Sequence, residues 1–343
     1  MKTIRISSRR AFLTAAVLSL ACRTAVALDP LPEMAISLSN GNVNLSWSTN
    51  FPDFMLESVY HLGEAWTPVT NITGYSATLP VDSDSQFFRL RKALAITYIA
   101  NEGFLMCGGG RKVLIDAIFN NGGGTYYTPP SDVLAEERTA TAPFDKIDAL
   151  LITHYHSDHM KASYVIEHMT NDPAAILITS AQVSNTLAGA NGFALITNRL
   201  IAVSPPPGSV VEFPVAGIDF KVVPLQHASD PSTNVQMVGF VFTIGDVRVF
   251  HSGDSALNLQ EYQTLNLANE NIDVAFVPFW LFDDSQNAQD IINYINPKSI
   301  IVMHVPIGKS DYYRSLINAI TNLPPVCLMD TPMVTLRFPV GGG

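Results

Sequence analysis

Residues 153 to 159 read Thr-His-Tyr-His-Ser-Asp-His, and the largely apolar run Ile147-Asp148-Ala149-Leu150-Leu151-Ile152 leads directly into them. Imidazole and carboxylate groups at this density are ligands for a divalent cation. In an extended segment alternate side chains share a face, so His154 and His156 point the same way. A turn through Ser157 then presents Asp158 and His159 to a second position close by. One short segment can therefore serve two metals. Neutral imidazole with carboxylate is the donor set that Zn2+ prefers and that Mn2+ or Fe2+ also accept, so the residues define the site before they define the ion.

Further ligands are expected from other strand ends, because a sheet is rigid enough to hold coordination geometry. His227 follows the run Phe220-Lys221-Val222-Val223-Pro224-Leu225, Asp254 follows Val247-Arg248-Val249-Phe250 through His251-Ser252-Gly253, and His304 ends Ile300-Ile301-Val302-Met303. Of the eight histidines five fall in such places, whereas His61, His168 and His251 do not complete the pattern.

The elements that must position these side chains alternate from Ala93 onward. Strand-like runs at 96–100, 104–107, 112–116 and 148–152 precede the first helical spacing, at 162–169. Helical spacing returns at 181–187, 286–295 and 311–320, with strand-like runs between, the order expected of an α/β fold with two sheets flanked by helices. Residues 31–92 differ. Asn42 to Ser48 alternates strictly, Asn40-Gly41 before it is a tight hairpin signal, and further short strand-like runs follow without a helix, which predicts a small all-β sandwich. Its ending, Phe87-Phe88-Arg89-Leu90-Arg91-Lys92, resembles compact fibronectin-III-like modules of secreted bacterial proteins.

The His-x-His-x-Asp-His motif with His227, Asp254 and His304 downstream in order resembles the metallo-β-lactamase-fold hydrolases, and the likeness covers residues 93 to 338. It implies a four-layer αββα sandwich in the domain 93–343, with one metal on His154, His156 and His227, a second on Asp158, His159 and His304, and Asp254 bridging them. It also implies that Asp116, at the end of Val113-Leu114-Ile115, fixes a ligand histidine from behind; a helix-capping role is the alternative. Two divalent ions about 3.5 to 4 Å apart, Zn2+ foremost and Mn2+ or Fe2+ otherwise, hold a hydroxide at neutral pH. That hydroxide is the expected nucleophile, with Asp158 as the catalytic carboxylate that orients it or takes its proton.

The start of the chain has the layout of an export signal: Ser8-Arg9-Arg10-Ala11-Phe12-Leu13 is similar to a twin-arginine signal, the apolar stretch through Ala21 is too short to span a bilayer, and Ala25-Val26-Ala27 fits a cleavage site. The expected location is periplasmic or extracellular, with a lipid anchor on Cys22 as the lesser alternative. Cleavage after Ala27 removes five basic residues and no acidic one, leaving fifteen basic against thirty acidic. So negative a surface repels phosphate backbones, which argues for a small-molecule substrate and against nucleic acid. Cys107 and Cys327 read as buried thiols rather than a bridge.

Substrate choice resides in loops. Asn101-Glu102-Gly103-Phe104-Leu105 and Val277-Pro278-Phe279-Trp280 are most similar to the branch containing ascorbate-6-phosphate lactonase and N-acyl-phosphatidylethanolamine phospholipase D, which implies lactone or phosphodiester cleavage. Phe279 to Phe282 form either an apolar wall beside the metals or ordinary core; Lys309, Tyr312 and Tyr313 either meet a substrate anion or form an exposed helix face. β-Lactamases and glyoxalase-II-like thioesterases use the same ligands, and a non-catalytic metal-binding protein is the remaining alternative.

Overall fold

A computed structural model describes residues 4–7, 31–70, 72–81, 85–229 and 234–339. The expected export signal lies outside the described residues, Cys22 included, except for Ile4–Ser7, which pairs antiparallel with residues 85–88. The chain divides into two compact units, one of Met1–Ala95 with Arg337–Gly343 and one of Ile96–Leu336.

In the first unit, Met34–Ser39, Asn42–Trp47, Ser76–Pro80 and Ile72–Thr73 form a four-stranded antiparallel sheet. Asn40 and Gly41 both take positive φ in the hairpin turn, the conformation a right-twisted two-residue loop needs. Phe54–Val59 pairs with Thr67–Pro68 on one side and with residues 87–92 on the other. The alternation in Asn42–Trp47 sends Val43, Leu45 and Trp47 inward, where they meet Ala77, Leu56 and Phe88 in one buried cluster. That cluster closes a small β-sandwich. Glu57, on the other face of the strand from Leu56, is buried and neutralised by Arg89 at 2.6 Å and Arg91 at 3.2 Å, as a buried charge requires.

The second unit holds two sheets. In the first, Leu200–Ala202, Ile176–Thr179, Ala149–Ile152 and Arg111–Ile115 are parallel neighbours, and Gly103–Gly108 adds antiparallel to the last. In the second, Val211–Val215, Ile218–Leu225, Met237–Ile244 and Val247–His251 run antiparallel in turn, then Val274–Pro278, Ser299–Met303 and Val326–Leu328 continue parallel. Strands such as Ala149–Ile152 and Val274–Pro278 are buried at every position, which explains their unbroken apolar sequences. Helices Leu259–Leu265, Ser285–Tyr294 and Ser310–Ala319 bury Tyr262, Leu265, Ala288, Ile291, Tyr313 and Ile317 in the core of the second sheet. Helices Ser131–Thr139, Ala162–Asn171 and Ala181–Ala188 belong with the first, giving the αββα order.

Two helices escape the sequence pattern. Ser131–Thr139 precedes the strand Ala149–Ile152, so the first helix comes earlier than the spacing predicts; it buries only Val133 and Glu137 and so has no apolar stripe to read. Leu259–Leu265 spans seven residues, too few for periodicity to register. No disulfide joins Cys107, which is buried, and Cys327, which is half-buried. Among the described residues no helix is long and apolar enough to cross a membrane.

Candidate metal centre

The second unit places every residue of the expected ligand set at one edge. Strands 111–115 and 149–152 end side by side, and Asp116 and the segment 153–159 follow them. Strands 218–225, 247–251 and 299–303 end in the same sense in the other sheet, and His227, Asp254 and His304 follow those. Gln226 and Ala228 pair with Ala256 and Asp254 through backbone hydrogen bonds of 2.8 Å each, which sets His227 beside Asp254. Three non-glycine residues at this edge take the left-handed conformation: Asn101 at φ 51°, Asp116 at 43° and His304 at 60°. Such positions cost roughly 1–3 kcal/mol each and persist where surroundings enforce them. Gly253 (φ 56°) is enforced differently, since a Cβ there would stand 3.0 to 3.1 Å from three side-chain atoms of Thr153.

Two groups of ligand atoms result. His154, His156, His227 and Asp254 offer atoms all within 4.8 Å of one another, as do Asp158, His159 and His304. Asp254 faces both groups. Its Oδ2 lies 3.4 Å from His227 Nε2 and 3.8 Å from His154 Nε2, while Oδ1 lies 3.2 Å from both His159 Nε2 and His304 Nε2. Asp158 Oδ2 stands 3.5 Å from His304 Nε2, and its carboxylate accepts a hydrogen bond from Asn101 Nδ2 at 3.3 Å. His154 Nε2 and His156 Nδ1 approach to 3.0 Å.

Asp116 controls the protons. Its Oδ1 accepts from the Thr153 backbone N–H at 2.9 Å, and its Oδ2 accepts from the Thr153 hydroxyl at 2.6 Å and lies 3.1 Å from His159 Nδ1. With its proton given to Asp116, Thr153 Oγ1 is free to accept from His154 Nδ1, 3.1 Å away. One carboxylate thus holds the Nδ1 protons of two histidines and leaves both Nε2 lone pairs facing the site. His227 Nδ1 meets the Ser229 hydroxyl at 3.0 Å.

Divalent cations fit this arrangement. His159 Nε2, His227 Nε2, His304 Nε2 and Asp254 Oδ1 are buried and without hydrogen-bond partners among the described residues, a costly condition that coordination relieves. The electrostatics agree. Burial, then the neighbouring imidazoles, hold His154 well below its ordinary value. For His159 and His304 burial also lowers the value, but the Asp254 charge and carboxylate hydrogen bonds outweigh it and the net shift is upward.

A family model described as the beta-lactamase superfamily domain matches residues 111–310. The chain belongs to the metallo-β-lactamase superfamily. A UPF0173 metal-dependent hydrolase from Symbiobacterium thermophilum is 29% identical over 220 residues, covering 62% of this chain and 84% of the relative. Among solved structures, the metallo hydrolase Igni18 from Ignicoccus hospitalis superposes with a TM-score of 0.51 at 19% identity, over 73% of this chain and 100% of its own. An isothiocyanate hydrolase from Delia radicum gut bacteria reaches 0.51 at 17% identity, over 72% and 100%. These two show the fold.

The remaining sequence expectations separate on burial. Trp280 is half-buried with its ring 5.1 Å from that of His304, whereas Leu281 and Phe282 are core. Tyr313 is buried against Phe279, and Lys309 and Tyr312 are exposed. His251 is fully buried, its Nε2 3.2 Å from the Glu102 carbonyl and its pKa lowered to about 4 chiefly by burial. Thr153, quoted above only as the start of the motif, and Tyr126, whose ring lies 4.0 Å from His304, also stand beside the site, as do Asn101 and Glu102, quoted above only for their likeness to one branch of the family. The polar pair Asn101-Glu102 between two apolar strands is the one local signal that points to them.

Proposed function

We propose that this chain, a metal-dependent hydrolase of the metallo-β-lactamase fold, holds two divalent cations and opens an ester-type bond in a small molecule, a lactone or a phosphodiester. His154, His156 and His227 would hold the first cation, for which Zn2+ suits the imidazoles, and Asp158, His159 and His304 would hold the second. The observation that carries the reading is the division of Asp254, one oxygen turned to each group. Charge supports it. Asp116, Asp158, Asp254 and Glu102 are four carboxylates whose ion-pair partners among the described residues are all imidazoles. Two divalent cations offset such a group more fully than one does in a largely buried place.

When bound, the cations would polarise the bond under attack and lower the pKa of a water to about 7. The protein's own groups do the rest. The Asp158 side chain is 20% exposed against 9% for Asp254, so it is the carboxylate open to the proton of an attacking water, and the Asn101 amide keeps it oriented. Burial and the Asp254 and Asp158 charges push the Tyr126 phenol up to about 12, so it stays protonated at neutral pH and can donate to a developing oxyanion. Tyr126 and Trp280 flank His304 and suit the apolar part of a substrate. On the twin-arginine-like start of the chain we place this activity outside the cytoplasm.

Elemental analysis of the purified protein, run beside assays on a lactone, a phosphodiester, a β-lactam and a thioester, tests the reading. We expect two ions per chain and turnover of the lactone or phosphodiester. His156→Ala should lose metal and at least about a hundredfold in rate, since Lewis-acid assistance supplies several kcal/mol at about 1.36 kcal/mol per factor of ten. A folded His156→Ala protein that lacks metal and keeps the parental rate refutes the mechanism; turnover of the β-lactam or thioester alone refutes the bond class.

A further inference from the structure

Glu102 sits in the turn between the strands Ser85–Ala100 and Gly103–Gly108. It is fully buried, and neither Oε1 nor Oε2 has a hydrogen-bond partner among the described residues. Its Oε2 lies 3.8 Å from His159 Nδ1. One carboxylate oxygen, one Asp254 oxygen and one His304 nitrogen lie within 4.8 Å of one another, so small side-chain movements bring all three within reach of one cation. The turn cannot swing away. The Asn101 carbonyl accepts from the His304 N–H at 3.1 Å, and the Glu102 carbonyl lies 3.2 Å from His251 Nε2. Gly103 packs so closely that a Cβ there would stand 2.8 Å from Ala117 Cα and 2.9 Å from the Asp116 carbonyl oxygen.

We propose that Glu102 is a further ligand of the second cation position, beside Asp158, His159, His304 and Asp254. This rests on the two-cation reading above. The two positions then differ in kind: three imidazoles and one carboxylate at the first, two imidazoles and three carboxylates at the second. Carboxylate-rich sets suit Mn2+ and similar hard ions, while imidazole-rich sets suit Zn2+. The second position therefore discriminates less against Mn2+ than the first, and the chain holds unlike ions when offered both.

The test uses the full chain, stripped of metal, loaded with Zn2+ and then dialysed against excess Mn2+, followed by elemental analysis and by calorimetric titration with Mn2+. The wild type should retain one Zn2+ and take up one Mn2+. Glu102→Gln, which keeps the shape, and Glu102→Ala should each lose Mn2+ affinity at the second position by roughly tenfold or more, with the first position unchanged. Should the alanine variant fail to fold, the glutamine variant decides. Wild type binding two ions with both variants retaining its second-position affinity overturns the role of Glu102 alone. A wild type that binds one ion overturns the two-cation reading, and this inference with it.

Discussion

Asp116→Asn exchanges one oxygen for an NH2 group of the same shape at a side chain with no exposure. The carboxylate meets three donors: the Thr153 backbone N–H at 2.9 Å, the Thr153 hydroxyl at 2.6 Å and, at 3.1 Å, His159 Nδ1. An amide has a single acceptor oxygen for them. With that oxygen kept on the backbone N–H, its NH2 confronts the hydroxyl and the imidazole. His159 must move its proton to Nε2, the atom aimed at Asp254 Oδ1. Thr153 turns its hydroxyl proton toward His154 Nδ1, which drives the proton of His154 to Nε2 as well. Both nitrogens then lose the lone pair a cation needs. A hydrogen bond to a charged acceptor contributes about 1.5–3 kcal/mol, and about 1.4 kcal/mol is a factor of ten, so each cation position should weaken by roughly 10- to 100-fold. Competition with a fluorescent chelator measures this, and thermal denaturation of the metal-free proteins checks the fold. A folded Asp116→Asn protein that holds both cations with unchanged affinity would show that Asp116 does not set the tautomers.

Acidification should strip the two positions in order. His159 and His304 are shifted upward and His154 and His156 downward, so as pH falls protons compete first for the second position and only later for the first. Titrations with Zn2+ at stepped pH should show the second equivalent weakening at higher pH than the first; parallel loss would count against this assignment of sites. Gly253→Ala should destabilise the metal-free protein by about 1–3 kcal/mol, because φ is positive there and the new Cβ meets Thr153, and it should also weaken metal binding through the displaced hydroxyl. Denaturant unfolding reads the first effect and chelator competition the second; unchanged stability would mean the backbone relaxes freely.

Read alone, the chain shows which side chains could ligate a cation. His154, His156, Asp158 and His159 lie within six residues, and His227, Asp254 and His304 each follow an apolar run within four residues, so ligand type and strand-end placement are both local properties of the chain. The strand Asn42–Trp47 was equally legible, since its strict alternation is the direct record of one buried face. Helices Ser131–Thr139 and Leu259–Leu265 were not, because tertiary packing rather than an apolar stripe holds them. How the site is wired emerges from packing between distant segments. Glu102 and Asn101 come to the His/Asp cluster from a turn some fifty residues before the motif, and the local sequence does not show that this glutamate is buried without a hydrogen bond. The left-handed backbone at Asn101, Asp116 and His304 uses three residue types that visit this region more readily than most, but which of the many such residues adopt it is decided where the edges of two sheets meet.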